Sequence, residues 1–82
     1  MHLSYDRRQN IAYLRLRESA GAQVETVRLS DEVNVDLAPD GTVYGIELLN
    51  ANDQLRPTDG GHLVVVDEVA GGRIEVPLPE IA

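Results

Sequence analysis

Val33-Asn34-Val35-Asp36-Leu37-Ala38-Pro39-Asp40-Gly41-Thr42-Val43-Tyr44-Gly45-Ile46-Glu47-Leu48-Leu49 is the stretch that decides the fold. Its first arm, residues 33–37, alternates branched aliphatic and polar side chains, the period of a strand with one dry face. Pro39-Asp40-Gly41-Thr42 then turns the chain, because proline presets φ and glycine accepts the positive φ that such turns demand. The second arm, residues 43–49, returns. Placing Ala38 opposite Val43 predicts Leu37 against Tyr44, Val35 against Ile46 and Val33 against Leu48, all apolar pairs. The other face then carries Asp36 against Gly45 and Asn34 against Glu47. A slip of one residue would set aliphatic against polar partners along the whole hairpin, so the pattern selects one register.

Shorter strand signals flank this hairpin. Upstream, residues 2–5, 11–17 and 24–29 read as strands separated by polar or glycine-containing turns. In the second of these Ala12, Leu14 and Leu16 share one face, with Tyr13, Arg15 and Arg17 on the other. Downstream, residues 51–55 suit a single helical turn stopped by Pro57, and Thr58-Asp59-Gly60-Gly61 suits a connector. Residues 62–67 and 73–78, rich in valine, read as two more strands across Gly71-Gly72, with a helix over 63–70 as the rival. Pro77 and Pro79 fit an edge strand or a chain end. The expected class is mainly β, with α+β as the alternative: a single antiparallel β-meander sheet of hairpins, a short helical turn and a C-terminal β-hairpin. Residues 1–51 would form the core and residues 52–82 a C-terminal extension packed on it, one domain in all.

Composition narrows the function classes. A chain of 82 residues has room for one core, and without Phe or Trp that core must be built from Ile, Leu and Val. Such a chain buries only about 60–65% of its unfolded surface, and pairing with another copy is a common remedy. The absence of cysteine removes disulfide frameworks and the usual structural zinc sites. The first ten residues lack the apolar stretch of a signal peptide, and the longest apolar run, residues 63–66, is too short for a bilayer. A cytoplasmic location with no membrane contact is therefore expected. A net charge of −7 repels phosphate polyanions, which argues against nucleic acid as a partner.

Several sequence features together resemble a known family. Residues 33–37, Asp40-Gly41 and Gly45-Ile46-Glu47-Leu48-Leu49 look like the domain-of-unknown-function family 2283, the YuzE-like small prokaryotic proteins. Tyr5-Asp6, Ala12-Tyr13-Leu14-Arg15-Leu16 and Glu25-Thr26-Val27 fit its opening and middle, so the resemblance covers about residues 3–51. From Asn52 onward the sequence departs from the family pattern. The resemblance implies no activity and no catalytic residue. Some members lie beside candidate toxin genes, which suggests a partner-binding or antitoxin-like role.

Chemistry-bearing constellations are few. Asp36-x-Ala38-x-Asp40-Gly41-x5-Glu47 nearly repeats the spacing of an EF-hand calcium loop, with glycine sixth and glutamate twelfth. Ala38 cannot supply a side-chain ligand, however, and the flanks alternate as strands where the motif needs helices. A metal site and a cofactor are accordingly not expected. His2 and His62 occupy a near-terminal and a post-glycine position, no serine sits in a nucleophile elbow, and Gly60-Gly61 and Gly71-Gly72 lack the Lys-Ser/Thr of a phosphate loop.

The remaining candidate is the outward sheet face. Tyr13, Arg15, Arg28, Asn34, Asp36 and Glu47, joined by Arg17, share it if the third strand pairs Leu14 with Val27. The choice there lies between a docking face and an ordinary solvated face whose cross-strand ion pairs contribute ~0.2–1 kcal/mol each. The expected function is a non-enzymatic protein–protein interaction domain. Its partner would be another protein or itself, as a homo-oligomer and foremost a dimer, through a valine-rich tail with strands free to pair. The alternatives are an antitoxin-like neutraliser of a basic toxin and, less favoured, a metal-dependent enzyme.

Overall fold

The computed structural model describes residues 1–19, 21, 23–56 and 61–78. The expected helix stop at Pro57, most of the following connector and Pro79 lie outside the described residues. Contacts divide the chain into two compact units, Met1–Ala51 and Asn52–Ala82.

Five strands make up the first unit: β1 (His2–Asp6), β2 (Ile11–Arg15), β3 (Glu25–Arg28), β4 (Val33–Leu37) and β5 (Val43–Leu49). They form one antiparallel sheet in the order β1-β2-β5-β4-β3. The mainly-β, antiparallel class with one short helix holds. The strand order is nevertheless not that of a simple meander, and the expected pairing of Leu14 with Val27 is replaced by Leu14 against Ile46. Val27 pairs with Val35 instead. After β2 the amides of Leu16 and Arg17 donate to the Tyr44 carbonyl, and the next strand, β3, lies at the far edge of the sheet beyond β5 and β4.

Turn chemistry explains the β1–β2 and β4–β5 reversals. After β1, the Asp6 carboxylate accepts the amides of Arg8 (2.9 Å) and Gln9 (3.1 Å), and Asn10 takes the left-handed φ of 58° that returns the chain. Between β4 and β5, the Gly41 amide donates to the Ala38 carbonyl and the Ala38 amide to the Thr42 carbonyl. Asp40 Oδ1 accepts the Thr42 amide at 2.9 Å, and Gly41 has φ 88°. This is a three-residue hairpin loop, a type I turn closed by glycine in the left-handed region.

That loop sets a register one residue away from the one the aliphatic alternation demands. The sheet reconciles the two with a bulge. Val33–Leu48, Asn34–Glu47, Val35–Ile46 and Asp36–Gly45 pair as expected, but Leu37 lies opposite Val43, not Tyr44, leaving Tyr44 as the extra residue of β5. The expected pairing of Ala38 with Val43 becomes Ala38 with Thr42 for the same reason.

One apolar row crosses the entire sheet: Leu3, Leu14, Ile46, Val35 and Val27, one residue from each strand. Tyr5, Ala12, Leu48 and Val33 form the next row on the same face. Even so, among the described residues only Ala12 and Ala51 are buried hydrophobic residues, and no large apolar side chain is fully buried.

A short helix, α1 (Ala51–Leu55), follows Asn50, which has φ 52°, and its Ala51 amide donates to the Asn10 carbonyl. In the second unit, β6 (His62–Val66) and β7 (Arg73–Pro77) form a two-stranded antiparallel sheet, so the rival helix over 63–70 is not adopted. The reversal between them is a single turn: Asp67 Oδ1 accepts the amides of Val69 and Ala70, both at 3.0 Å, and the Gly71 amide donates to the Asp67 carbonyl. Gly71, at φ 80°, closes it.

Candidate functional site

The face opposite the apolar rows is built from two polar rows. Ser4, Tyr13, Glu47, Asn34 and Arg28 stand side by side from β1 to β3, and His2, Arg15, Gly45, Asp36 and Thr26 make the neighbouring row. Tyr13, Arg15, Arg28, Asn34, Asp36 and Glu47 therefore share one face. Arg17, the seventh residue considered, lies past the end of β2.

Tyr13 organises this face. Its ring leans across Gly45, where a Cβ would fall 2.7 Å from Tyr13 Cε1, so only glycine leaves room for it. The hydroxyl reaches β4 and donates to Asp36 Oδ2 at 2.8 Å. Asp36 Oδ1 accepts the Thr26 hydroxyl from β3 at 2.6 Å. One carboxylate thus ties β2, β4 and β3 together across a glycine of β5. Beside it, Asn34 Nδ2 donates to Glu47 Oε1 at 2.9 Å.

Electrostatics follow from that packing. Burial, then the hydrogen bond to Asp36, then the negative charges of Asp36 and Glu47 push the Tyr13 hydroxyl up to about 12. It stays protonated and acts as a donor. The cations are paired close to home: the half-buried Arg15 with exposed Glu18 at 3.2 Å and the exposed Arg28 with Asp31 at 3.0 Å, solvent-screened pairs worth little individually.

The near-EF-hand carboxylates are drawn to separate tasks. Asp36 holds Tyr13 and Thr26, Glu47 accepts from Asn34, and Asp40 caps its own turn, where the Thr42 side chain and amide hold its carboxyl below the usual aspartate range. Among the described residues no three His, Asp or Glu side chains are placed to hold one metal ion. A depression of about 450 Å³ lined by Gln23, Val24, Glu25 and Pro39 lies beside β3, and the Tyr13–Asp36 cluster contributes nothing to it.

Thr26 was not assigned to this face from the sequence, and Gly45, placed there opposite Asp36, was given no role. Thr26 alternates with Arg28 and so belonged to the same face by strand period alone. Gly45, an isolated glycine inside a strand pattern, signals a close approach, and here the approaching group is the Tyr13 ring.

The geometry defines a class: a small antiparallel sheet with one internally hydrogen-bonded polar face and one apolar face. More particularly, the chain belongs to the DUF2283 family, proteins of unknown function, whose profile matches residues 2–52. The match takes in all five strands of the first unit and the start of α1. Comparisons with curated proteins and with solved structures gave no match. No helix among the described residues is long and apolar enough to cross a membrane.

Proposed function

We propose that the protein is a non-enzymatic interaction domain of the cytoplasm that associates with protein, in the first instance with a second copy of itself. The observation that carries this reading is the absence of any fully buried large apolar side chain among the described residues. Within Met1–Ala51 the sheet is a single layer, whereas stable domains bury a sheet face against a second layer. Its polar face offers little to a substrate, because Tyr13, Thr26, Asn34, Asp36 and Glu47 hydrogen-bond one another. Tyr13, pushed up to about 12, is poorly suited to proton transfer at neutral pH, where a catalytic group titrates near the working pH.

Size-exclusion chromatography with light scattering tests self-association. A dimer mass that dissociates on dilution is expected. A monomer mass at every concentration from micromolar to millimolar would sink the reading.

The net charge of −7 supports a second reading, an antitoxin-like neutraliser of a basic toxin, since opposite charge speeds encounter. Co-expression with a cationic growth-arresting protein encoded nearby tests it. Unrelieved arrest would end it.

A further inference from the structure

The two described strands of the second unit present two outer edges, and they differ. In the β6–β7 hairpin the Leu78 amide donates to the Gly61 carbonyl and the Asp67 amide to the Gly72 carbonyl. With the register of His62 on Pro77 through Val66 on Arg73, antiparallel alternation makes Leu63–Val76 and Val65–Ile74 the inward-bonded pairs. Val64 and Val66 on β6, and Arg73, Glu75 and Pro77 on β7, therefore direct their backbone groups outward.

The β7 edge is blunted. Pro77 has no N–H to offer there, and a second β7 aligned about Glu75 would set two carboxylates face to face. In the five-stranded sheet the outer strands also carry charge, Asp6 on β1, and Glu25 and Arg28 on β3. Among these four outer strands β6, His62-Leu63-Val64-Val65-Val66, is the one without an Asp, Glu or Arg side chain.

From this contrast we infer that β6 is a self-pairing edge: two copies of the chain join β6 to β6 antiparallel about a two-fold axis through Val64. The sequence of β6 is complementary to itself in that register. Val64 meets Val64 of the second copy and exchanges both backbone hydrogen bonds with it, Leu63 meets Val65, and Val66 meets His62. No like charges face each other.

The product is a four-stranded sheet, β7-β6-β6-β7. Leu63, Val65, Ile74 and Val76, now 44%, 51%, 64% and 44% exposed on one hairpin face, become one continuous apolar surface with their symmetry mates. A lone two-stranded hairpin is marginal in water, and four strands with a dry face are not. This inference rests on self-association and specifies where it occurs.

The test uses the full chain and needs three substitutions at one position. Val64→Pro removes the N–H that would complete the central pair, yet suits the isolated hairpin because that N–H points away from β7. Val64→Lys sets two ammonium groups against each other at the axis. Each is expected to raise the dimer dissociation constant by roughly tenfold or more, with the circular dichroism spectrum retained.

Val64→Cys introduces the single thiol of the chain. About 5.5 Å between the two Cα atoms of a hydrogen-bonded pair lies within disulfide reach, so mild oxidation should give a covalent dimer, whereas Glu75→Cys should not. A wild-type dimer that survives both Val64→Pro and Val64→Lys, or that crosslinks as fast through Glu75→Cys, overturns the β6 pairing while leaving self-association intact. A monomeric wild type sinks both.

Discussion

Replacing Gly45 by alanine is expected to destabilise the sheet, although an added methyl inside a strand ordinarily helps. Its Cβ would fall 2.7 Å from Tyr13 Cε1, so the ring must swing off the strand. Swinging breaks the 2.8 Å bond from the Tyr13 hydroxyl to Asp36. A hydrogen bond to a charged acceptor contributes about 1.5–3 kcal/mol, and relief of the glycine's backbone entropy returns about 0.5–1 kcal/mol. The balance is a loss of about 1–2 kcal/mol, or about 5–15 °C in Tm for a domain of this size.

Urea unfolding and thermal melts followed by circular dichroism measure it, and a second background sharpens the result. In Tyr13→Leu the ring is gone, and Gly45→Ala should then stabilise the protein by about 0.5–1 kcal/mol. An equal effect in both backgrounds, or a Gly45→Ala protein as stable as the wild type, would refute the seating of Tyr13 on Gly45.

Alkaline pH probes the same ring. Because Tyr13 is raised from 10.0 to about 12 in the folded state, its contribution is fully present below pH 10 and is lost as pH climbs towards 12; Tyr13→Phe should flatten that limb of the stability curve. In the second unit the amides of Ala70 and Val69 hold Asp67 below 3.8, so its contribution stands above that pH and fades as acid is added past it. Asp67→Asn should remove that acid-side dependence from amide exchange in β6 and β7. Gly71→Ala forces a Cβ into φ 80° and should weaken the β6–β7 hairpin by about 1–2 kcal/mol, read as faster amide exchange at Val65 and Ile74. Calcium at millimolar concentration is expected to leave Tm unchanged; a rise of several degrees would mean that Asp36, Asp40 and Glu47 abandon their present partners for the ion.

The sequence disclosed the faces of this sheet better than its neighbours, and the pleat explains why. Side chains alternate with period two whichever strand lies alongside, so once Leu14 and Val35 turn to a shared apolar side, Tyr13 and Asp36 must take the other, whether or not Leu14 pairs with Val27. Neighbour choice is a different matter. Leu14 meets an aliphatic residue whether its partner is Val27 or Ile46, so the alternation could not separate the two topologies. The bulge at Tyr44 was hidden by a related degeneracy. A four-residue turn closed by Ala38 and Val43 satisfied the aliphatic pattern without distortion, and only the Gly41 geometry reveals the tighter loop that displaces Tyr44.

These degeneracies bear on what the protein offers its surroundings. In the first unit Tyr13, Thr26, Asn34, Asp36 and Glu47 spend their hydrogen bonds on one another, so the proposed association would have aliphatic surface as its main material. Aliphatic surface alone discriminates poorly between partners, because one branched side chain packs much like another. Specificity must then come from backbone pairing, where register and polarity are fixed by hydrogen bonds. On that physical ground an edge strand such as β6, uncharged, five residues long and matched to its own reverse, would select a partner in the proposed self-association better than the broad apolar rows of the five-stranded sheet.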